Sequence, residues 1–231
     1  MCGRYTVAKT PDDLADYFEA EFDDPGVDLL LPTYNASPGQ HLPTIAGDTP
    51  GMIRPMLWGI TRAFTEAGGN KGSRFLINAR SESVDSRPAF RESFRHRRCL
   101  VVADGFYEWK AIGTRKQPYR VVLGNRGLFA FAGIWEESSE NERHFVILTT
   151  AADRVIRPIH DRMPVILTRS DLEAWLDPRQ RDIERFTRPD PPLEVDAYPV
   201  SSAVNASREN HSRLIEPVEE RTAPSSRSLF D

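Results

Sequence analysis

The second residue of the chain is a cysteine, and this position gives it a chemistry that an internal cysteine lacks. Removal of Met1 would leave Cys2 with an α-amine and a thiol on adjacent carbons. An α-amine titrates near about pH 8, so a substantial fraction is neutral and nucleophilic at cellular pH. With an aldehyde, the amine forms an imine and the thiolate then closes a five-membered thiazolidine ring. The alternative is an incidental cysteine that is only buried.

A short polar stretch, INAR, places an amide and a guanidinium close together. Asn78 and Arg80 are two residues apart, so on a strand both side chains leave the same face. This pair predicts a clamp for a phosphate or a sugar. A polar strand edge with ordinary hydrogen bonds is the alternative.

A carboxylate lies within an aromatic strand at FYEW. By alternation, Glu108 shares a face with Phe106, whereas Tyr107 and Trp109 take the other face. Such a carboxylate is either solvated on an open face or held in an apolar pocket, where desolvation raises its pKa and suits it to act as a general acid. Both interpretations stay open from the sequence.

The IHDRMP segment supplies a candidate for proton transfer. His160 stands just before Asp161, Arg162 and a proline that stops the local structure. Histidine is the side chain best suited to proton transfer near neutrality, and an ordinary surface histidine is the alternative. The sequence has no His or Cys spacing typical of a metal site, no P-loop and no GxGxxG, so we expect no metal and no cofactor.

Many short apolar strands surround these residues, with a few helices that do not alternate with them. Thr10 is expected to cap a helix that starts at Pro11. CLVVADGFYEW predicts two strands around a tight Asp-Gly turn, and PYRVVLGNRGLFAFAGIWE predicts a hairpin. Ser86 is expected to cap a short helix with Phe90 and Phe94 pointing inward. This order predicts an α+β fold, a single domain with a mainly antiparallel, barrel-like β core and a few peripheral helices.

Length, composition and charge limit the class of protein. The 231 residues suffice for one sizeable domain that folds without disulfides. Two cysteines and the lack of an apolar run long enough for a signal peptide or a membrane span predict a reducing cytoplasm and no membrane partner. A net charge of -4 argues against a globally basic nucleic-acid coat but leaves a local basic groove open. The polar residues 206–231 predict a disordered tail.

The motifs of the chain, taken together, resemble those of one family. MCGRY, YNASPGQ, a WG strand, INAR followed by a glutamate, RRCLVVADGFYEWK, LTTAA and IHDRMP resemble, in order and spacing, the SRAP family of SOS-response-associated peptidases. The resemblance covers residues 2–205. It implies recognition of abasic sites in single-stranded DNA and covalent crosslinking to them, which shields the lesion in the DNA damage and SOS response. We further expect a monomer that is cytoplasmic, and nucleoid-associated when bound to DNA.

The resemblance also assigns catalytic roles to four positions. It implies that Cys2 is the nucleophile and that Asn78 positions the sugar and the Cys2 end. Glu108 corresponds to the glutamate that assists sugar ring opening and imine chemistry. His160 corresponds to the histidine that hydrogen-bonds the opened sugar and moves protons.

Five further positions are implied to contact DNA. Arg4 and Arg80 correspond to phosphate-binding arginines. Thr149 and Pro38 correspond to positions that line the site or the DNA groove. Phe64 stands about where family members often have a tryptophan wedge that stacks beside the lesion, and phenylalanine stacks with less area.

Other activities stay open at this point. An imine at the first sugar carbon acidifies the neighbouring carbon, so a weak lyase activity by β-elimination is expected beside crosslinking, and the family name suggests a peptidase that trims its own Met1. Glutamine amidotransferases of the N-terminal-cysteine class also begin MCG, and there the thiolate attacks an amide. A non-covalent single-strand-binding module, with an incidental Cys2, is a further alternative.

Overall fold

The structure is a computed structural model that describes residues 2–23, 31–65, 71–187 and 192–220, with the backbone alone described at residues 64, 65 and 71. In chain order the strands are β1 (Tyr5–Val7), β2 (Glu21–Phe22), β3 (Thr33–Ala36), β4 (His41–Ala46), β5 (Met52–Trp58), β6 (Ile60–Thr65), β7 (Lys71–Leu76), β8 (Asn78–Arg80), β9 (Arg98–Ala103), β10 (Gly105–Ile112), β11 (Arg115–Leu123), β12 (Phe129–Glu137), β13 (Arg143–Ala151), β14 (Arg162–Pro164), β15 (Ile166–Leu167) and β16 (Val195–Pro199). The helices are α1 (Pro11–Phe18), α2 (Arg91–His96), α3 (Leu172–Leu176) and α4 (Glu184–Thr187). Short 3-10 helices cover Ser81–Ser83, Arg169–Asp171, Ser202–Asn205 and Ser212–Ile215.

Most strands fall into two sheets. The first sheet has the order β16, β11, β10, β1, β3. The second has the order β14, β13, β12, β9, β4, β5, β2, and because β13 also pairs with β5, the strands β4, β5, β13, β12 and β9 close into a barrel. Strands β6 and β7 form a separate hairpin, and β8 pairs in parallel with β13. The expected α+β domain with a barrel-like β core is confirmed.

Buried aromatic rings join the first sheet to the barrel. The ring of Tyr5, on β1, lies 5.1 Å from that of Trp58 and 5.5 Å from that of Phe131, measured between centroids. Trp58 in turn stacks on Phe145 at 6.2 Å. All four side chains are almost fully removed from solvent, so β1 is anchored through its inward face.

The predicted Asp-Gly turn is wrong, because β9 and β10 belong to different sheets. Asp104 lies at the crossing between them, where it is buried and paired with Arg120 at 3.1 Å. The Asp104 carboxylate also accepts hydrogen bonds from Thr6 Oγ1 at 2.6 Å and from the Ala8 N–H at 3.1 Å. A Cβ atom on Gly105 would come within 2.8 Å of Arg120 Nε, so glycine leaves room for this guanidinium. A buried ion pair thus replaces the expected surface turn.

Two other local expectations are also corrected. Strands β11 and β12 do not form a hairpin, because β11 pairs with β10 and β16, and β12 pairs with barrel strands. The helix expected from Ser86 begins at Arg91, and Ser86 lies in a turn where its N–H donates to Ser83 O at 3.3 Å. Phe90 and Phe94 are buried, as expected.

The chain remains packed on the domain beyond residue 205, where a disordered tail is expected. Leu214 is fully buried in a cluster with Tyr107 and Val200. Asn210 Oδ1 accepts a hydrogen bond from the Tyr34 N–H at 2.6 Å. Residues 200–220, here named the C-terminal strap, therefore belong to the domain, and residues 221–231 of the predicted tail lie outside the described residues. None of the helices in the described part of the chain has the length and apolar character needed to cross a membrane.

Candidate active site

The amino-terminal end of the chain lies beside β10, the strand that carries the candidate acid. Tyr5 pairs with Phe106, and the Tyr107 N–H donates to Arg4 O at 3.0 Å. Glu108 follows two residues after Phe106, and only 2% of it is exposed. The β1–β10 pairing therefore brings the first residues of the chain to a buried carboxyl group.

A hydrogen bond ties Cys2 to Asn78. Asn78 Nδ2 donates to the Cys2 carbonyl oxygen at 2.9 Å, and Cys2 Sγ lies 3.8 Å from Arg4 O. Asn78 Oδ1 is buried and has no hydrogen-bond partner among the described residues, so a ligand can supply a donor to it. Cys2 is fully buried in this chain, which includes Met1. Burial matches the incidental alternative for Cys2, whereas the contact with Asn78 matches the functional one.

Glu108 interacts electrostatically with the Cys2 thiol and with His160. Burial raises the pKa of the Cys2 thiol, and the Glu108 carboxylate raises it further. Burial also raises the pKa of Glu108, while nearby positive charge, including that of protonated His160, opposes this effect. Of the two environments predicted for Glu108, an open solvated face and a buried pocket, the structure shows the buried one. A carboxyl group there is suited to hold and release a proton.

A short ordered loop holds His160. Asp153 Oδ1 accepts from the Ile156 N–H at 2.8 Å, and the His160 N–H donates to Ile156 O at 2.9 Å. His160 Nδ1 accepts from the Arg162 N–H at 3.0 Å and also lies 3.0 Å from Asp161 Oδ1. The imidazole is thus oriented through its Nδ1 edge.

The two predicted phosphate-binding arginines are in different environments. Arg4 Nη1 donates to Asn35 Oδ1 at 2.8 Å and to Val204 O at 2.9 Å, and Arg4 Nη2 to Asn205 O at 3.4 Å. Burial lowers the pKa of Arg4. Arg80, at the end of β8, is exposed. Arg80 therefore presents its charge to solvent, while Arg4 is engaged by the C-terminal strap and β3.

The remaining predicted DNA contacts differ in how close they lie to this group. Thr149 pairs with Arg80 across β13 and β8, is fully buried, and donates to Ala79 O at 3.4 Å. Pro38 is partly buried in the turn between β3 and β4. Phe64 lies on β6, and its side chain is outside the described part of the structure.

Three residues that the sequence left without a role lie near this site. Arg162 Nη2 donates to Thr149 O at 2.6 Å, and the same guanidinium holds the Glu82 carboxylate. Phe75, three residues before Asn78, is 51% exposed. Glu82 and Arg162 each follow a predicted residue by two positions, but strand alternation does not extend to them, because Glu82 lies on a 3-10 helix and β14 begins only at Arg162. The exposure of Phe75 has no signal in the sequence.

A cavity of about 750 Å³ lies next to this group, and Glu82 is in its lining, but Arg162 and Phe75 are not. Its lining includes Thr150 and Met163, the neighbours of Thr149 and Arg162 on their strands, whereas Cys2 and Glu108 are not in the lining. Among the described residues, no group of three or more His, Cys, Asp or Glu side chains is arranged to hold a metal ion. The candidate site is therefore the group around Cys2 rather than this cavity.

Known proteins resemble the chain along nearly its full length. The family model "SOS response associated peptidase (SRAP)" matches residues 1–207. Abasic site processing protein YoqW of Bacillus subtilis (strain 168) is 35% identical over 231 residues, which covers 94% of this chain and 99% of that protein. Abasic site processing protein YedK of Escherichia coli (strain K12) is 28% identical over 233 residues, covering 94% of this chain and 100% of that protein.

A solved structure shares the fold. The crystal structure of a protein from Bacteroides thetaiotaomicron superimposes with a TM-score of 0.76 at 21% identity, covering 95% of this chain and 100% of that chain. The residues around Cys2 lie within the matched range of the family model. With a match of that length and a relative that is 35% identical, the chain belongs to the SOS response associated peptidase (SRAP) family.

Proposed function

We propose that the chain recognises abasic sites in single-stranded DNA and becomes covalently joined to them through Cys2 after removal of Met1. The observation that carries this proposal is the hydrogen bond from Asn78 to the Cys2 carbonyl, beside a buried Glu108 whose pKa is raised. The names of the relatives, abasic site processing proteins, support the choice of substrate.

Ring opening is the first step that needs a proton. The abasic sugar exists mainly as a cyclic hemiacetal, and its opening gives an aldehyde at the first carbon. Glu108 is suited to this step because its raised pKa keeps a share of the carboxyl protonated at a pH where a solvated glutamate is ionised. Asn78 Oδ1 lacks a partner among the described residues, which supports a role as acceptor for the freed sugar hydroxyl.

Capture of the aldehyde forms two bonds to one carbon. The Cys2 amine adds to the aldehyde, and the resulting carbinolamine loses one water molecule to give an imine. The Cys2 sulfur then adds to the imine carbon, and the nitrogen takes the thiol proton, which closes the thiazolidine. The net change is the loss of one water. His160 and Glu108 are the groups that give and take these protons.

Removal of Met1 changes the electrostatics of the thiol. In the chain that retains Met1, burial and Glu108 hold the pKa of Cys2 high, so the sulfur is protonated. A new ammonium on Cys2 itself favours the thiolate, because an adjacent positive charge stabilises the ionised form. The amino terminus of the untrimmed chain already opposes part of this rise in pKa, so the change that matters most is that Cys2 gains its own amine. We propose that the chain catalyses this trimming.

Strand binding and side reactions complete the proposal. Arg80 supplies a phosphate contact from the exposed end of β8, and the resemblance to the family adds Pro38 and Phe64 as strand contacts, while Thr149 supports the site from inside the barrel. Arg4 contributes by holding the start of the chain in place through its bonds to Asn35 and the C-terminal strap. The imine also permits weak β-elimination of the 3′ phosphate, which would cleave the strand.

The test is a denaturing gel with a labelled single-stranded oligonucleotide that contains one abasic site. We expect a shifted, denaturation-resistant band from the trimmed protein, none from Cys2→Ala, and none from a chain whose amine is blocked by retained Met1. Cys99→Ala is the matched control, because Cys99 is also fully buried but lies in the barrel. An equal band from Cys2→Ala would refute the proposal.

The same samples distinguish the other functions. Retention of the intact and abasic strands with equal affinity, and no covalent band, would favour a binding module. Release of ammonia from glutamine would favour an amidotransferase-like enzyme. Intact mass measured on each sample establishes whether Met1 is present.

A further inference from the structure

The guanidinium of Arg162 has two sets of partners of different kinds. On one side Arg162 Nη2 donates to Thr149 O at 2.6 Å and lies 3.3 Å from Thr149 Oγ1. On the other side Nη1 and Nη2 donate to the two carboxylate oxygens of Glu82, at 2.5 and 2.9 Å. Arg162 is thus held by a strand backbone and by one carboxylate.

The Thr149 contact is built into the fold, whereas the Glu82 contact can exchange. Thr149 is fully buried on the barrel strand β13, and β13 pairs with β14, which starts at Arg162. Glu82 lies on the short 3-10 helix Ser81–Ser83, and 52% of its side chain is exposed. Loss of the Glu82 contact would therefore leave the guanidinium anchored by Thr149.

Glu82 also lies close to a second, exposed arginine. Hydrogen bonds from Arg162 lower the pKa of Glu82, and the charge of Arg80 lowers it further. Glu82 is therefore ionised at neutral pH, and its negative charge offsets part of the positive potential that Arg80 and Arg162 create at this edge of the site.

A phosphodiester offers arginine the same arrangement as a carboxylate does, two anionic oxygens that a guanidinium fork binds together. We propose that Glu82 occupies, in the free protein, the arginine fork that a strand phosphate takes when DNA binds, so that Glu82 weakens the binding of undamaged strands. This inference rests on the proposed function, since it concerns the strand that the site receives. Glu82 then lowers the non-covalent affinity for any strand, so that lasting retention depends on the covalent bond that only an abasic site can form.

The test compares the affinity of variants for an intact single-stranded oligonucleotide that has no abasic site. We expect Glu82→Gln, which keeps the shape of the side chain, and Glu82→Ala, which vacates the fork, to bind about 3-fold to 10-fold more tightly at low salt. One added phosphate contact should also make the slope of log affinity against log salt steeper by about 0.7.

A matched control separates this effect from the loss of one negative charge. Asp48 forms a similar two-oxygen contact with Arg143, at 3.2 and 2.9 Å, and its side chain is 46% exposed. Arg143 starts β13 and Thr149 lies near its end, about 20 Å away at the rise of a strand. Asp48→Asn should therefore change affinity less than Glu82→Gln does. In an Arg162→Gln background, Glu82→Gln should have no larger effect than Asp48→Asn.

The outcomes separate this inference from the proposed function. Both Glu82 variants could bind the intact strand no more tightly than the unsubstituted protein, while that protein still forms the abasic crosslink. This result would overturn the competition and show that Glu82 only orients Arg162. Equal tightening by Asp48→Asn would overturn it as well. No crosslink in the unsubstituted protein would instead refute the proposed function.

Discussion

The hydrogen bond between Asn78 and Cys2 leads to a quantitative prediction. Asn78→Ala removes the donor that lies 2.9 Å from the Cys2 carbonyl oxygen. A buried acceptor left without a partner costs about 1–3 kcal/mol. If this contact holds the reacting end in place in the transition state, the crosslinking rate should fall about 5-fold to 150-fold, since 1.36 kcal/mol corresponds to a factor of ten.

The assay is single-turnover crosslinking, with trimmed protein in excess over a labelled abasic oligonucleotide and quenched samples read on a denaturing gel. Asn78→Asp should also be slow, because it keeps the oxygens and lacks the donor. Asn125→Ala is the control, since it removes a comparable local bond, from Gly127 N to Asn125 Oδ1 at 2.9 Å, on an exposed turn. A loss below 2-fold in a folded Asn78→Ala protein, or an equal loss in the control, would refute the reasoning.

Three further predictions concern pH and stability. Because burial raises the pKa of Glu108, its protonated form stabilises the fold at low pH, and this stability is lost as the pH rises through the raised pKa. Glu108→Gln should remove that part of the pH dependence of Tm. An unchanged pH dependence in this variant would contradict the prediction. Asp104→Ala leaves Arg120 buried without its counter-ion and should lower the free energy of unfolding by about 3–5 kcal/mol in urea, whereas a loss under about 1 kcal/mol would count against the pair. Gly105→Ala should cost about 1–3 kcal/mol because its Cβ meets Arg120, and Gly51→Ala, with no atom within 4 Å, should cost much less.

Local sequence patterns predict a helix or strand well when contacts between residues close in the sequence stabilise it. The cap of α1 is an example, because Thr10 Oγ1 accepts from the Asp13 N–H at 3.2 Å and Asp13 is only three residues away. The Asp-Gly turn fails for the opposite reason. Asp104 is stabilised by Arg120, sixteen residues further on, and a short window cannot show which carboxylate will be buried beside which arginine.

In the candidate site, too, contacts between residues close in the sequence are predictable and contacts between distant residues are not. Alternation places Asn78 and Arg80 on one face of β8, with Ala79 buried on the other. The contact of Asn78 with Cys2 joins residues 76 positions apart, and within the sequence only the resemblance to a family connects them. The packing of Leu214 and its neighbours cannot be predicted from the sequence, because the apolar residues of this polar stretch, Leu214, Ile215 and Val218, are too few to give a periodic signal.

The bonds of Arg4 to the carbonyls of Val204 and Asn205 connect positions 200 and 201 residues apart. During synthesis, Cys2 is therefore present long before the ribosome adds the two carbonyl groups that bind Arg4. A chain ending at residue 199 would carry the same leading residues with Arg4 unheld on that side. We expect Arg4, and with it the Cys2 end, to be fully held only after residues 204 and 205 have been added to the chain.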